Sequence, residues 1–125
     1  MKESAIEIKS FTFAVRIVNL YRYLVEEKNE YVMSKQLMRS GTSIGANVAE
    51  AYRGVSDRDF VNKMSIALKE ANESEYWIKL LHATGYLNDI QYESVKADCS
   101  EINKILIVIV KKTNERINQV QKKDS

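Results

Sequence analysis

The chain has 125 residues, of which 45% are hydrophobic and 29% are charged, and its net charge is +2. This size and this balance fit one soluble globular domain and exclude a disordered chain. The absence of proline and the presence of only four glycines favour long helices over a turn-rich β fold. A single cysteine, Cys99, excludes an intrachain disulfide and argues against a zinc site built on cysteines.

The N-terminal segment lacks the apolar core of a signal peptide. The longest apolar run, ILIVIV at residues 105–110, is far too short to span a bilayer. We therefore expect a cytoplasmic protein with no membrane association.

Apolar residues recur at steps of three and four along most of the chain, which is the spacing of amphipathic helices. Ser10 is the predicted N-cap of the first helix, and Gly54 and Gly85 follow the predicted ends of the second and third. The predicted helices span residues 10–28, 34–53, 57–84 and 89–119. Short connections make neighbouring helices antiparallel, so the predicted fold is all-α, an up-down four-helix bundle.

One domain, residues 1–125, accommodates the whole bundle, with residues 1–9 and 120–125 as flexible ends. The alternative for residues 105–110 is a buried strand. The helical spacing continues on both sides of this run, which favours a helix.

The segment RSGTSIGANVAEAYRG, residues 39–54, contains two interior glycines that should each cost about 1 kcal/mol relative to alanine. A phosphate-binding loop is excluded, because no strand precedes the segment and no Lys followed by Ser or Thr follows the glycines. Gly41, Gly45 and Ala49 instead recur every four residues. This spacing predicts a groove of small side chains that another helix can approach closely, within the bundle or across subunits.

The same helix is apolar or small on most sides, so we predict that it is buried on most sides. Asn47 and Glu50 are then candidate buried polar residues. Glu50 is a candidate for an ion pair with Arg39, with Arg53 or with an arginine of another helix.

Helix 4 is apolar all round between residues 105 and 110, and Ile105 and Val108 lie in this run. A lone four-helix bundle covers only one face of each helix, so surplus apolar surface on helices 2 and 4 predicts a homo-oligomer. The alternative is a well-filled bundle centre.

Residue patterns for catalysis or metal binding are absent from the sequence. A di-iron bundle needs Glu-x-x-His motifs, but Lys79 lies three residues before the only histidine, His82. Cys99 falls in an apolar stripe and is interpreted as a core residue, while Tyr76 and Trp77 are interpreted as packing or interface residues. We expect no enzyme activity, no cofactor, no metal site and no small-molecule substrate.

Basic residues cluster after helix 2 and near the end of helix 4. From Lys111 onward five basic residues face two acids, a local net charge of +3 against −1 for the rest of the chain. Repetition in a symmetric ring would make a weak basic patch multivalent. The candidate sites for RNA or another partner are Arg39, Arg53, Arg58, Lys111, Lys112 and Arg116. In a single subunit they also fit ordinary solvated charges.

The segments QLMRSGTSIGANVAEAYRG, SDRDFVNKMSIALKEANESEYWIKLL and GYL resemble the four-helix-bundle family encoded within intervening sequences of bacterial-type 23S ribosomal RNA genes. The motif from Ser43 to Ala51 carries most of this resemblance. A second motif contains Ile66, Ala67, Glu70 and Glu73. The resemblance covers most of the chain.

The resemblance implies an antiparallel bundle that assembles as a ring-like homopentamer. The family is similar to the accessory protein of diversity-generating retroelements, a basic pentamer that works with a reverse transcriptase and RNA. It therefore suggests binding to RNA or to a nucleic-acid-processing protein. This chain departs from the family in lacking a proline near the junction of helices 1 and 2 and in being only mildly basic. A protein-binding scaffold without nucleic-acid binding is the alternative function.

Overall fold

The computed structural model describes residues 3–124, and side chains are described for residues 3–123. The helices in chain order are α1 (Ala5–Glu26), α2 (Met33–Ala51), α3 (Asp57–Ala83) and α4 (Asp89–Asp124). The described part of the chain contains no strand, so the predicted all-α fold is confirmed. The run at residues 105–110 lies inside α4.

Helix α1 begins five residues earlier than predicted, because Ser4 and not Ser10 caps it. The backbone N–H of Glu7 donates to Ser4 Oγ (3.3 Å), and Ser4 N–H donates to Glu7 Oε1 (2.9 Å), which forms a capping box. Ser10 is buried inside the helix, and Ile6 is only 1% exposed. Residues 5–9 are therefore helical rather than part of a flexible end, while residues 1 and 2 lie outside the described part.

Helix α4 extends to Asp124, five residues beyond its predicted end at residue 119. Residues 118–123 are helical and exposed, so local helix propensity rather than packing carries this part of α4. The predicted flexibility of residues 120–125 stays a prediction, and Ser125 lies outside the described residues.

Helix α2 has an N-terminal cap that the sequence analysis missed. Glu30 is 6% exposed, and its carboxylate accepts hydrogen bonds from the backbone N–H groups of Val32, Met33 and Ser34 at 2.6–3.0 Å. Burial alone raises the pKa of Glu30, but these hydrogen bonds outweigh it and the net pKa is lowered. The ionised carboxylate therefore satisfies three of the N–H groups that every helix start leaves free.

The helices form a closed four-membered bundle in which α2 packs on α1 and α3, and α4 packs on α3 and α1. The seam between α1 and α4 is the least extensive contact, and ion pairs cross it from Lys9 to Glu101 and from Arg16 to Asp98. Buried apolar side chains from all four helices fill the centre. They include Ile17, Leu24, Ile44, Met64, Ile78, Leu81, Ile102 and Leu106.

The connections follow from local backbone geometry. Gly85 adopts a φ of +86° after α3, the left-handed conformation that favours glycine at a helix end. Gly54 does not share this conformation. A Cβ at Gly54 would lie 3.0 Å from Asp59 Cβ and 3.2 Å from Ala51 O, so close approach explains this glycine.

No helix in residues 3–124 combines the length and apolar character needed to cross a membrane.

Candidate functional site

Helix pairing brings basic residues from separate segments to one end of the bundle. Arg116 of α4 donates two hydrogen bonds to Asp57, from Nε to Oδ2 and from Nη2 to Oδ1, both at 3.0 Å. Asp57 is the first residue of α3, so this pair fixes α4 beside the α2–α3 turn. We call this region the basic end, and it contains Arg53, Arg58, Lys111, Lys112 and Arg116.

The cations of the basic end differ in how they are compensated. Hydrogen bonds from Arg116 lower the pKa of Asp57 and outweigh its small desolvation, and the same bonds raise the pKa of Arg116. This pair therefore stays charged and largely neutralises itself. All four other cations of the basic end are exposed, and within residues 3–123 none of them forms an ion pair.

Arg39 does not belong to the basic end. It lies 14 residues before Arg53, which corresponds to about 21 Å along a continuous helix. On α3 it interacts electrostatically with Glu70. Burial and the adjacent Glu73 raise the pKa of Glu70, and Arg39 opposes that shift. The six predicted basic residues therefore divide into a cluster of five and one separate arginine.

The basic end also carries an aromatic pair that the sequence analysis did not single out. The rings of Tyr52 and Phe60 meet edge to face with centroids 5.3 Å apart. Tyr52 is 44% exposed and Val55, in the turn, is 95% exposed. A shallow cavity of about 330 Å³ lies between these residues and Arg116. The sequence feature that could have predicted this aromatic pair is the position of Tyr52 directly before Arg53 and the glycine of the turn.

The glycines of α2 contact α1 inside the subunit. A Cβ at Gly41 would lie 2.9 Å from Ile17 Cγ1, and one at Gly45 would lie 3.2 Å from the backbone oxygen of Ser10. Ala49 is exposed instead. The helices therefore approach closely at the first two positions, and Ala49 lies outside this close contact.

A groove with a volume of about 320 Å³ lies between α1 and α2. The residues that line it define the α1–α2 groove, namely Glu3, Glu7, Phe11, Gly45, Val48 and Ala49. Phe11 is 70% exposed, an unusual state for a phenylalanine in a monomer. Ile8 and Val15 continue the exposed apolar stripe of α1 on either side of it.

Apolar side chains are also exposed on α4. Val108 is 48% exposed and Ile107 is 52% exposed, whereas Ile105 is half-buried against the core. The predicted surplus apolar surface on α4 thus consists mainly of residues 107 and 108. The larger surplus on α1 was not predicted, because Phe11 lies only two residues before the core residue Phe13.

The prediction that α2 is buried on most sides is wrong for the single subunit, because only α1 and α3 cover it. Glu50 is exposed and its Oε2 lies 3.1 Å from Lys63 Nζ of α3, so its partner is a lysine and not an arginine. Asn47 is half-buried and donates to the carbonyl of Ser43 in its own helix (2.8 Å). Neither residue is a buried polar group.

The buried polar groups occur elsewhere in the bundle. Ser74 Oγ of α3 donates to Ser40 Oγ of α2 (2.9 Å), and both serines are fully buried. Asn103 of α4 is 7% exposed and donates to Glu75 Oε2 (3.1 Å). The position of Ser74 within the apolar stripe of α3 was the sequence signal for this contact.

The residues considered for catalysis have structural environments. Burial, with smaller contributions from Glu75 and Asp98, raises the pKa of Cys99 to about 12. His82 lies 2.8 Å from Asp89 and stacks on the ring of Tyr92. Within residues 3–123 no group of three or more His, Cys, Asp or Glu side chains is arranged to hold a metal ion.

The two aromatic residues predicted to pack in α3 differ in exposure. Trp77 is half-buried against the core, and its Nε1 is buried without an acceptor among the described residues. Tyr76 is 56% exposed and meets Trp77 edge to face at 5.0 Å. Only Trp77 therefore acts as a packing residue within the subunit.

Comparison with known proteins agrees with this architecture. The sequence model of the 23S rRNA-intervening sequence proteins matches residues 2–108. A solved structure of a protein with unknown function from the S23 ribosomal protein family of Bacteroides thetaiotaomicron VPI-5482 is 59% identical to this chain, with a TM-score of 0.85. The match covers 89% of this chain and 99% of that one. No curated protein matches the sequence.

The family match includes the glycine-rich helix α2, the α2–α3 turn and the exposed stripe of α1. Three cations of the basic end, Lys111, Lys112 and Arg116, lie beyond the matched segment. The matched segment covers far more than half of the sequence, with α1, α2 and α3 in full and α4 in part. The chain belongs to the 23S rRNA-intervening sequence protein family.

Proposed function

We propose that the protein is a non-enzymatic homo-oligomer that binds RNA, or a ribonucleoprotein, through the basic end of each subunit. The observation that carries this proposal is the convergence of the α2–α3 turn, the start of α3 and the last third of α4 at one end of the bundle. Four exposed cations there lack ion-pair partners among residues 3–123. Such cations are suited to phosphate contacts, which position nucleic acid without reading its sequence.

Self-association strengthens the proposal because the net charge of one subunit is only +2. A ring presents one basic end per subunit, and binding at several ends raises the affinity through the effective concentration. The exposed Phe11, Ile107 and Val108 support self-association, since burial of such side chains is favourable. We propose a pentamer, the number that the family resemblance implies.

A non-enzymatic role is supported by the environments of the residues that could act chemically. The Cys99 thiol stays protonated near neutral pH because burial raises its pKa to about 12. His82 is held by Asp89 and by the ring of Tyr92, on which it stacks. A binding role uses the exposed cations and does not require these residues.

The test is a fluorescence anisotropy titration of a labelled structured RNA at 50 mM and 200 mM salt. The triple variant Arg53→Gln, Arg58→Gln and Lys112→Gln removes three unpaired cations of the basic end. Each lost phosphate contact should lower the slope of log K against log salt by roughly 0.7 to 0.9. We expect weaker binding at both salt concentrations and a shallower slope.

The matched control removes three exposed cations away from the basic end, with Lys28→Gln, Lys35→Gln and Lys79→Gln. This control should bind as the wild type does. No binding of the wild type at 50 mM salt would refute the proposal, and equal weakening by the control would show nonspecific attraction to net charge.

The second candidate function is a protein-interaction scaffold that binds no nucleic acid. The observation that favours it is the exposed apolar stripe of Ile8, Phe11 and Val15, which requires a protein surface and not a phosphate. An oligomer that fails to bind RNA at low salt would support this alternative.

A further inference from the structure

The end of α4 projects beyond the rest of the bundle. Arg116 lies beside Asp57, where α3 begins, so residues 117–124 extend past the start of α3. At 1.5 Å per residue this α4 extension is about 12 Å long. All its described side chains from residue 118 onward are exposed, and only Ile117 is half-buried.

The α4 extension is amphipathic. Ile117 and Val120 are three residues apart and therefore lie on one face, continuing the stripe that Leu106 and Thr113 bury lower in the bundle. Val120 is 53% exposed, because α3 no longer covers that face. Two exposed lysines, Lys122 and Lys123, follow this face.

The α1–α2 groove has the complementary properties. Its floor and walls are Phe11, Val48, Gly45 and Ala49, and its charged lining consists of the carboxylates of Glu3 and Glu7. The groove therefore offers an apolar slot with a negative rim to a helix whose apolar stripe is followed by two lysines. Complementary charge of this kind sets the orientation of docking.

We propose that the α4 extension of one subunit docks into the α1–α2 groove of a second copy of this chain. The extension cannot reach the groove of its own subunit, because α4 is one continuous helix that points away from the bundle and packs only on α3 and α1. Each copy thus contributes one extension and one groove to two different neighbours. Such a head-to-tail contact closes into a ring when the rotation between subunits allows it.

This inference rests on the proposed self-association, and it names the two surfaces that contact each other in the oligomer. The family match ends at residue 108, so the contact belongs to a part of α4 that the family model does not describe. It therefore concerns a feature of this chain beyond the common family pattern.

The test uses cross-linking between two chains that each carry one new cysteine, Ala49→Cys in one and Val120→Cys in the other. The chains are refolded together and treated with a short bis-maleimide, while the buried Cys99 stays unreactive. The 1:1 product of the two different chains should form at least five-fold faster than the product of Val120→Cys with Lys28→Cys, the control at an exposed site outside the groove. Equal rates would overturn the inference.

Light scattering separates this inference from the proposed function. Phe11→Asp, Val120→Asp and deletion of residues 117–125 should each reduce the oligomer mass, and Val55→Asp at the exposed turn should not. Glu3→Lys should weaken assembly, and Lys123→Glu should restore it. An oligomer unaffected by these changes would overturn only the docking inference. A wild type that scatters as a single 14.4 kDa chain at all concentrations would overturn the proposed self-association as well.

Discussion

Substitution of Gly41 by alanine tests whether close helix contact explains the glycines of α2. The added Cβ would lie 2.9 Å from Ile17 Cγ1, 3.0 Å from Cγ2 and 3.3 Å from Cβ. Ile17 is fully buried and β-branched, and such a side chain has one strongly preferred rotamer in a helix. The new methyl group therefore has no flexible neighbour to displace, and α1 and α2 must move apart.

Overpacking and helix propensity have opposite effects on the stability of Gly41→Ala. Carbon atoms normally approach to about 3.5–4.0 Å, so the helices must separate by roughly 0.6–1 Å at this position. Overpacking of this kind typically costs about 1–3 kcal/mol. Alanine gains about 1 kcal/mol over glycine in helix propensity. We expect Gly41→Ala to lower the free energy of unfolding by up to about 2 kcal/mol after these contributions are combined.

Urea unfolding followed by circular dichroism, at one fixed protomer concentration, measures this change. Ala46→Gly at an exposed site of the same helix is the control, and it should cost about 1 kcal/mol from propensity alone. In an Ile17→Ala background, which removes the clashing atoms, Gly41→Ala should become stabilising. A Gly41→Ala protein that is more stable than the wild type by about 1 kcal/mol would refute the close-contact argument.

Three further predictions follow from the same contacts. Gly45→Ala should destabilise the protein less than Gly41→Ala does, because the added Cβ would lie 3.2 Å from the Ser10 carbonyl oxygen, against 2.9 Å from Ile17 Cγ1 at Gly41. The midpoints of urea unfolding measure both changes. Glu30→Gln should cost about 1 kcal/mol near neutral pH through the weakened cap. The pKa of Glu30 in the folded protein lies below its ordinary value of 4.5. The carboxylate therefore stabilises the fold fully above pH 4.5, and this stabilisation is lost as the pH falls through the lowered pKa. The difference in free energy of unfolding between the wild type and Glu30→Gln should therefore become smaller in acid. A gap independent of pH would contradict the assignment. Cys99 should react with iodoacetamide at pH 8 only at the rate of unfolding, measured by mass spectrometry, whereas rapid labelling would show that it is accessible.

Local patterns in the sequence predicted the helices but not all their boundaries. The steps of three and four in α3 and α4 predicted the buried faces, including Ala71, Ser74 and Cys99, because a helix repeats every 3.6 residues. The start of α1 was misplaced because Ser4 and Ser10 are both acceptable caps by composition. The Ser-x-x-Glu spacing of Ser4 and Glu7 is a capping-box signature that Ser10 lacks, and the reciprocal bonds between Ser4 and Glu7 bear it out. Glu30 was missed because it caps α2 from outside the usual cap position.

The sequence predicted only part of the grouping of the candidate basic residues. Arg53 and Arg58 are neighbours in the chain, so their proximity was predictable. The approach of Arg116 to the same turn depends on the antiparallel pairing of α3 and α4 over their full length. The same pairing leaves Arg39 far away, although it is closer in sequence to Arg53 than Arg116 is.

The sequence by itself determined the four helices, their antiparallel order and the family, because these depend on periodicity, short connections and local motifs. Tertiary structure alone decided which exposed faces remain. Glu50, predicted to be buried, is exposed because α2 has neighbours on two sides only, and Phe11 is exposed although Ser10, the residue before it, lies against Gly45 of α2. The burial of a side chain depends on which element packs against it. The spacing of apolar residues along one helix predicts which face is apolar, but it does not show which neighbour covers that face.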